Sequence, residues 1–284
     1  MITAMPRIAI AVDDFPAIVS TFADKLGMPV VDLSSTSGAS LGANLAMCVP
    51  AGGSNIELMA PADPNAPLSQ SLQSFLDRRG EGLFALMLEA PDPNAEADAL
   101  AGRGLNVLPL MAGAGGRDVH PNSTHGVLIR VYPANSYAGP ADVPPAADSN
   151  PTGLSGIARV IIAVNDLDHA ARVYGQQFQM PTNEITTDTE RGVRAAICHP
   201  PSGGAIELVS VDNPSRPFAN SIQAFLDGGR EGMYALVLQS NDLDASARAL
   251  AARGVAVSAS ADSPDVLEID RAATFGALLR IESA

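Results

Sequence analysis

Two short apolar runs each carry one arginine. "THGVLIRVYP" (124–133) holds Arg130, and "TFGALLRIES" (274–283) holds Arg280. Two further arginines open apolar runs, Arg7 in "RIAIAV" and Arg159 in "RVIIAV", and one glutamate interrupts each of "SNIELMAP" (Glu57) and "GAIELVSV" (Glu207). A charge buried in a strand must be paired, because an isolated one costs several kcal/mol. The chemistry on offer is that of guanidinium and carboxylate. Arginine is a permanently charged planar fork that grips a carboxylate, phenolate or enolate through two parallel hydrogen bonds. A glutamate can move a proton, but flanking arginines favour its ionised form and make it a weak base at neutral pH.

These residues recur because the chain is written twice. "QSFLDRRGEGLFALML" (73–88) returns as "QAFLDGGREGMYALVL" (223–238). Glu57 maps to Glu207 and Arg130 to Arg280 at an offset of 150 (207 − 57 = 150), and Arg7 maps to Arg159 at 152 (159 − 7 = 152). The expected organisation is a first domain over 1–135, a Pro/Ala/Gly-rich linker over 136–153, and a second domain over 154–284.

Within a half, periodicity predicts a strand at "RIAIAV", a helix at "DFPAIVSTFADKLG", and strands at "PVVDLSS", "ANLAMCVP" and "SNIELMAP". A strand "GLFALMLEA", a helix "DPNAEADALAGRG" and strands "NVLPLMA", "GRDVH" and "GVLIRVY" follow. "SQSLQSFLDRRGEG" suits a short linking helix, and "GAGGRDV" (113–119) a turn before a strand. The fold class is α+β, with four βαβββ modules. Alternation along each strand puts Arg7, Ala9 and Ala11 on one face and Ile8, Ile10 and Val12 on the other. In the same way Glu57 and Met59 oppose Ile56 and Leu58, and Ala85 and Met87 oppose Phe84, Leu86 and Leu88. Leu128 and Arg130 oppose Val127, Ile129 and Val131. The bulky face packs on helices. The other, with small residues and a few charges, lines a hollow suited to a small molecule.

The segments "RIAIAVDD", "IELMAPADPNAPLSQSLQSFLDRRGEGLFALMLE", "AGRGLNVL" and "HPNSTHGVLIRV", with their counterparts, resemble the vicinal oxygen chelate superfamily. That group includes glyoxalase I, extradiol dioxygenases, bleomycin-resistance proteins and methylmalonyl-CoA epimerase, the last being the nearest likeness. The resemblance implies that paired modules form two cupped-sheet domains, each with a divalent-metal site in its cup. It carries the four ligand positions onto Arg7, Glu57, Ala85 and Arg130, and onto Arg159, Glu207, Ala235 and Arg280 in the second half. Both halves lose the expected histidines and gain two arginines, which have no lone pair for a metal. No metal and no cofactor are therefore expected. An Arg–Glu–Arg set of net charge +1 either brackets the cup structurally or binds an anionic ligand. Arg7, Arg130, Arg159 and Arg280 are the substrate-binding candidates, and Glu57 and Glu207 the catalytic ones.

The four histidines, His120, His125, His169 and His199, have no histidine counterparts in the other half. His125, just before the Arg130 strand, is kept as a third catalytic candidate beside the reading of a surface loop residue. Cys48 and Cys198 occupy matched strand positions and read as small buried residues, reduced in a cytoplasm. A net charge of −14 and a pI near 4.5 argue against nucleic-acid or anionic-membrane partners. No apolar run spans a membrane, and no secretory leader is read at the start. The expected partner is a small molecule, and the chain a monomer or homodimer.

Three functions follow. One is a metal-independent isomerase, lyase or hydrolase acting on a small oxygenated or aromatic acid. The second is a non-catalytic binding protein of the bleomycin-resistance type. The third is a glyoxalase or extradiol dioxygenase with unusual metal ligands.

Overall fold

A computed structural model describes residues 1–111, 115–136 and 150–284. Its first half runs β1 (Ala4–Ala11), α1 (Phe15–Ser20), β2 (Val30–Asp32), α2 (Ala39–Leu41), β3 (Ala43–Cys48) and β4 (Asn55–Pro61). It continues through α3 (Pro67–Arg79), β5 (Gly82–Ala90), α4 (Pro93–Gly102), β6 (Arg117–Val119) and β7 (Leu128–Pro133). The second half repeats the order as β8 (Ile157–Ala163), α5 (Leu167–Ala171), β9 (Thr186–Asp188), β10 (Val193–Cys198) and β11 (Ala205–Val211). Then come α6 (Pro217–Asp227), β12 (Gly232–Ser240), α7 (Leu243–Ala252), β13 (Ser258–Ala259), β14 (Leu267–Ile269) and β15 (Leu278–Ser283).

Each half builds its own sheet. The first has seven strands in the order β2-β3-β4-β1-β5-β7-β6, and the second eight, β13-β14-β15-β12-β8-β11-β10-β9. In both, the opening strands of the two modules pair antiparallel at the centre (β1 with β5, β8 with β12). This is the α+β, cupped-sheet architecture the resemblance implied. The helices α1, α4, α5 and α7 start where an aspartate accepts a free backbone N–H: Asp14 from Ala17, Asp92 from Asn94 and Ala95, Asp166 from His169, Asp242 from Ala245.

Two expectations need correction. "NVLPLMA" forms no strand over its described residues and touches the sheet only through a Val107–Val119 bridge. Pro109 has no N–H to donate, and Leu110 is 62% exposed. Phe84 does not share a face with Leu86. A register shift between Ala9 and Ile10 leaves it unpaired on β5, and it joins the cup-side cluster. The second half repeats the bulge at Tyr234.

Of the expected linker 136–153, residues 137–149 lie outside the described residues. Its end is anchored: Thr152 Oγ1 donates to the Leu26 carbonyl at 2.6 Å, and the Ser246 hydroxyl to the Thr152 carbonyl at 2.6 Å. The sides of the two sheets that face α1, α4, α5 and α7 contribute to one continuous core. Ile8, Ile10, Leu58 and Ile129 lie in the same cluster as Val160, Ile162, Leu208 and Leu279. Cys48 and Cys198 are buried and unpaired, and burial raises both thiol pKa values, that of Cys198 to about 11. Among the described residues no helix is long and apolar enough to cross a membrane.

Candidate functional site

The other face of each sheet is the cup, and alternation assigned its residues well. Ala9, Ala11, Met59, Ala85 and Met87 form one cluster there. The hollow itself is filled. Leu68, Leu72 and Leu76 of α3 lie in the same cluster, with Phe75 against it, so the helix occupies the concave side. In the second half Phe218, Ala219, Ile222 and Leu226 of α6 pack in the same way on Ile161, Ala163, Val209 and Val237. Small sheet residues here make room for helix side chains.

The charged candidates stand on the same strands. Arg7 Nε donates to Glu57 Oε2 at 3.1 Å, and its guanidinium stacks 4.6 Å from the Tyr132 ring centre. Arg130 does not share Glu57. Its Nε and Nη2 grip Asp118 in bidentate fashion at 2.8 and 2.9 Å. Arg130 is 1% exposed. Burial, the largest influence, works to lower its pKa. Asp118, with Tyr132 and Glu57 behind it, outweighs that and holds the pKa above its ordinary value. Two arginines thus face two carboxylates, and the net charge of +1 expected for an Arg–Glu–Arg set is cancelled by Asp118.

The second cup carries the same logic with more partners. Arg159 Nε donates to Glu207 at 2.7 Å, while its Nη2 reaches Glu282 at 2.8 and 3.0 Å. Arg191 donates to the other Glu207 oxygen at 2.6 Å. Arg280 grips Asp262 at 2.9 and 3.0 Å and Glu268 at 2.8 Å. Phe218 of α6 lies beneath both the Arg191 and Arg280 guanidiniums, at 4.3 and 4.9 Å. With Asp188, 3.9 Å from Arg191, three arginines here meet five carboxylates.

Asp118, Glu268, Asp262, Glu282 and Arg191 were not identified from the sequence. A signal for two of them existed. Asp118 and Glu268 are repeat partners (268 − 118 = 150), each directly opposite its arginine across an antiparallel pair.

His125 lies outside both cups, at the junction of the halves. Its Nδ1 meets Glu231 at 3.1 Å and its Nε2 meets His169 Nδ1 at 2.8 Å. Burial is the largest influence and lowers its pKa, against the pull of the Glu231 carboxylate, which works to raise it. His120 accepts the Asn122 amide, and His199 is exposed.

Residues 7–120 and 158–274 each match the family described as the glyoxalase/bleomycin resistance protein/dioxygenase superfamily. The chain belongs to that superfamily. Among solved structures it is similar to a triple-substitution variant of 4-hydroxymandelate synthase from Streptomyces coelicolor. The TM-score is 0.67 and the identity 16%, over 100% of this chain and 93% of that one. It is also similar to a fusion of a xylose isomerase-like TIM barrel with 4-hydroxyphenylpyruvate dioxygenase, with a TM-score of 0.65 and 12% identity. There it covers 100% of this chain and 49% of the fusion, about half the fusion's length. At such identities the likeness shows the fold alone. Comparison with curated protein sequences gives no match.

The superfamily implies a metal in each cup, and the residues present do not fit one. Each set of four positions supplies one carboxylate, an alanine and two arginines. The carboxylates Glu57 and Glu207 are already bonded to guanidinium groups. Among the described residues no three His, Cys, Asp or Glu side chains are placed to share an ion.

Proposed function

We propose that this chain is a non-catalytic small-molecule-binding member of its superfamily, working without a divalent metal in either cup. The observation that carries this reading is the bidentate capture of Arg130 by Asp118, and the hold of Asp262 and Glu268 on Arg280, in sheets whose cup faces are covered by α3 and α6. A cup of that kind offers a metal no free ligand set, and a reacting substrate little room. Its two buried, unpaired thiols suit a reducing cytoplasm. Each sheet is completed within the chain, which suits a monomer.

The test is metal content after incubation with zinc, ferrous iron, manganese and nickel followed by desalting, together with a turnover screen on enolisable and aromatic acids. Metal well below one per chain and no turnover are expected. One tightly held metal per chain, or turnover abolished by Glu57→Gln, overturns the reading.

A second reading rests on two spare donors. Among the described residues, Arg7 Nη1 and Arg280 Nε are buried without a hydrogen-bond partner. If α3 or α6 moved aside, they would hold the oxyanion of a small oxygenated or aromatic acid in a metal-independent isomerase, lyase or hydrolase, with Glu57 or Glu207 beside it. Turnover that falls in Arg7→Gln and Arg280→Gln without any metal requirement would establish this alternative.

A further inference from the structure

The ends of the two cup helices read "DRRGEG" (77–82) and "DGGREG" (227–232). Repeat-matched positions therefore carry arginine on opposite sides: Arg78 and Arg79 face Gly228 and Gly229, and Arg230 faces Gly80. Arg271 likewise corresponds to Pro121. These four arginines are not paired by the repeat, yet the fold brings all of them to one cleft of about 420 Å³ between the halves. That volume lies within the range that encloses a drug-sized ligand.

The cleft depends on glycine. A Cβ on Gly126 would sit 2.0 Å from the Glu231 carbonyl oxygen, and one on Gly276 would sit 2.0 Å from that of Glu81. These mirrored contacts hold the halves together at the cleft floor. Phe75 and Phe84 line it from the first half and Phe225 from the second, with Tyr234 packed behind Phe225. Phe75 and Phe84 meet edge to face at 5.2 Å, and Phe225 and Tyr234 at 5.4 Å. Arg271 lies over the second pair, 5.7 and 5.0 Å from its ring centres, and donates to the Tyr234 and Gly276 carbonyls.

The charge there is unbalanced. Among the described residues four arginines line the cleft against one carboxylate, Glu81, whose Oε1 accepts the Asp13 amide. Among the described residues neither Arg79 nor Arg230 has a carboxylate within ion-pair distance. Burial lowers the Arg79 pKa, and Arg230 and Arg78 lower it further. A chain of net charge −14 thus concentrates mutually repelling cations in one place. In the cups, by contrast, every arginine has its acid.

We infer that this cleft binds a planar aromatic molecule bearing two anionic groups. The rings would take the flat body, and guanidinium groups from both halves would take one anionic group each. The inference rests on the binding function proposed above and names its site and ligand class. Carboxylate, sulfonate and phosphate share the required chemistry. A nucleic acid is disfavoured by the small cleft and the acidic remainder of the chain.

The experiment is calorimetric titration of the full chain with naphthalene-2,6-dicarboxylate, naphthalene-1,5-disulfonate, naphthalene-2-carboxylate and pyrophosphate. A naphthalene dianion should bind once per chain, about tenfold tighter than the monoanion, the equivalent of one charge-assisted hydrogen bond. The double variant Arg79→Gln/Arg230→Gln alters two exposed side chains and should weaken it about tenfold by the same measure. Arg194→Gln, an exposed arginine paired with Asp168, should leave it unchanged. Pyrophosphate binding as tightly as both naphthalene dianions overturns the aromatic part. Affinity untouched by the double variant, or no binding at millimolar concentration, overturns the site. If binding survives the double variant but is lost in Arg159→Gln, the ligand sits in the second cup: the cleft inference fails and the binding function stands. If the ligand is instead chemically converted and the double variant stops this, the cleft stands and the non-catalytic reading fails.

Discussion

Replacing Asp118 by alanine removes the only carboxylate that, among the described residues, Arg130 contacts directly. Arg130 is 1% exposed, and its two hydrogen bonds to Asp118 are 2.8 and 2.9 Å long. Charge-assisted bonds of this kind contribute about 1.5–3 kcal/mol each. Their sum agrees with the cost of about 3–5 kcal/mol for orphaning one member of a buried ion pair. Arginine cannot escape by losing its proton, so Asp118→Ala should destabilise the protein by about 3–5 kcal/mol. The double variant Asp118→Ala/Arg130→Met removes the stranded cation and should return to within about 1–2 kcal/mol of the wild type, because an apolar replacement avoids the desolvation penalty. Urea unfolding of the wild type, both single variants and the double variant, followed by circular dichroism, completes the cycle. A single-variant loss below about 1 kcal/mol would refute the reasoning, since it would mean that the guanidinium reaches water or another anion. The cup would then be open, and the case for a closed, paired-charge interior would fail.

The glycine contacts make a second prediction. Gly126→Ala and Gly276→Ala each place a methyl group 2.0 Å from a carbonyl oxygen at a φ near +80° (+79° and +81°). Each should cost more than about 2 kcal/mol in urea unfolding, from overpacking together with a strained φ, and a loss under about 0.5 kcal/mol for either would show that the halves are not held there. A third prediction concerns pH. Glu231, His169 and Asp166 surround His125, yet burial dominates and its folded pKa is lowered. The unfolded chain therefore binds the proton first. The stability that neutral His125 contributes is complete above about pH 6.5, its ordinary value, and is lost as the pH falls through the lower folded value. His125→Gln should flatten the decline in stability below about pH 6.5 relative to the wild type, measured by urea unfolding at several pH values. An unchanged decline would assign the acid sensitivity to other groups.

Much of this molecule is local in origin, and that part was legible. The offset of 150 between Glu57 and Glu207 exposed the duplicated architecture, because a repeated unit keeps its own strand and helix periods wherever it stands. Alternation put Arg7, Ala9 and Ala11 opposite Ile8 and Ile10 correctly, since neighbouring side chains on a strand must point to opposite faces. It failed at Phe84, where one extra residue in the ladder reverses the face. The pairing of Arg130 with Asp118 depends on the register of β6 against β7. The filling of the cups depends on which surface α3 and α6 settle against. The assembly of Arg79, Arg230 and Arg271 depends on how two halves meet across glycines. The sequence by itself determined which residues carry charge and on which face of a strand they lie. Only the tertiary structure decided which charges neutralise one another and which are left facing a cleft, because the energy of a buried charge is set by partners distant along the chain.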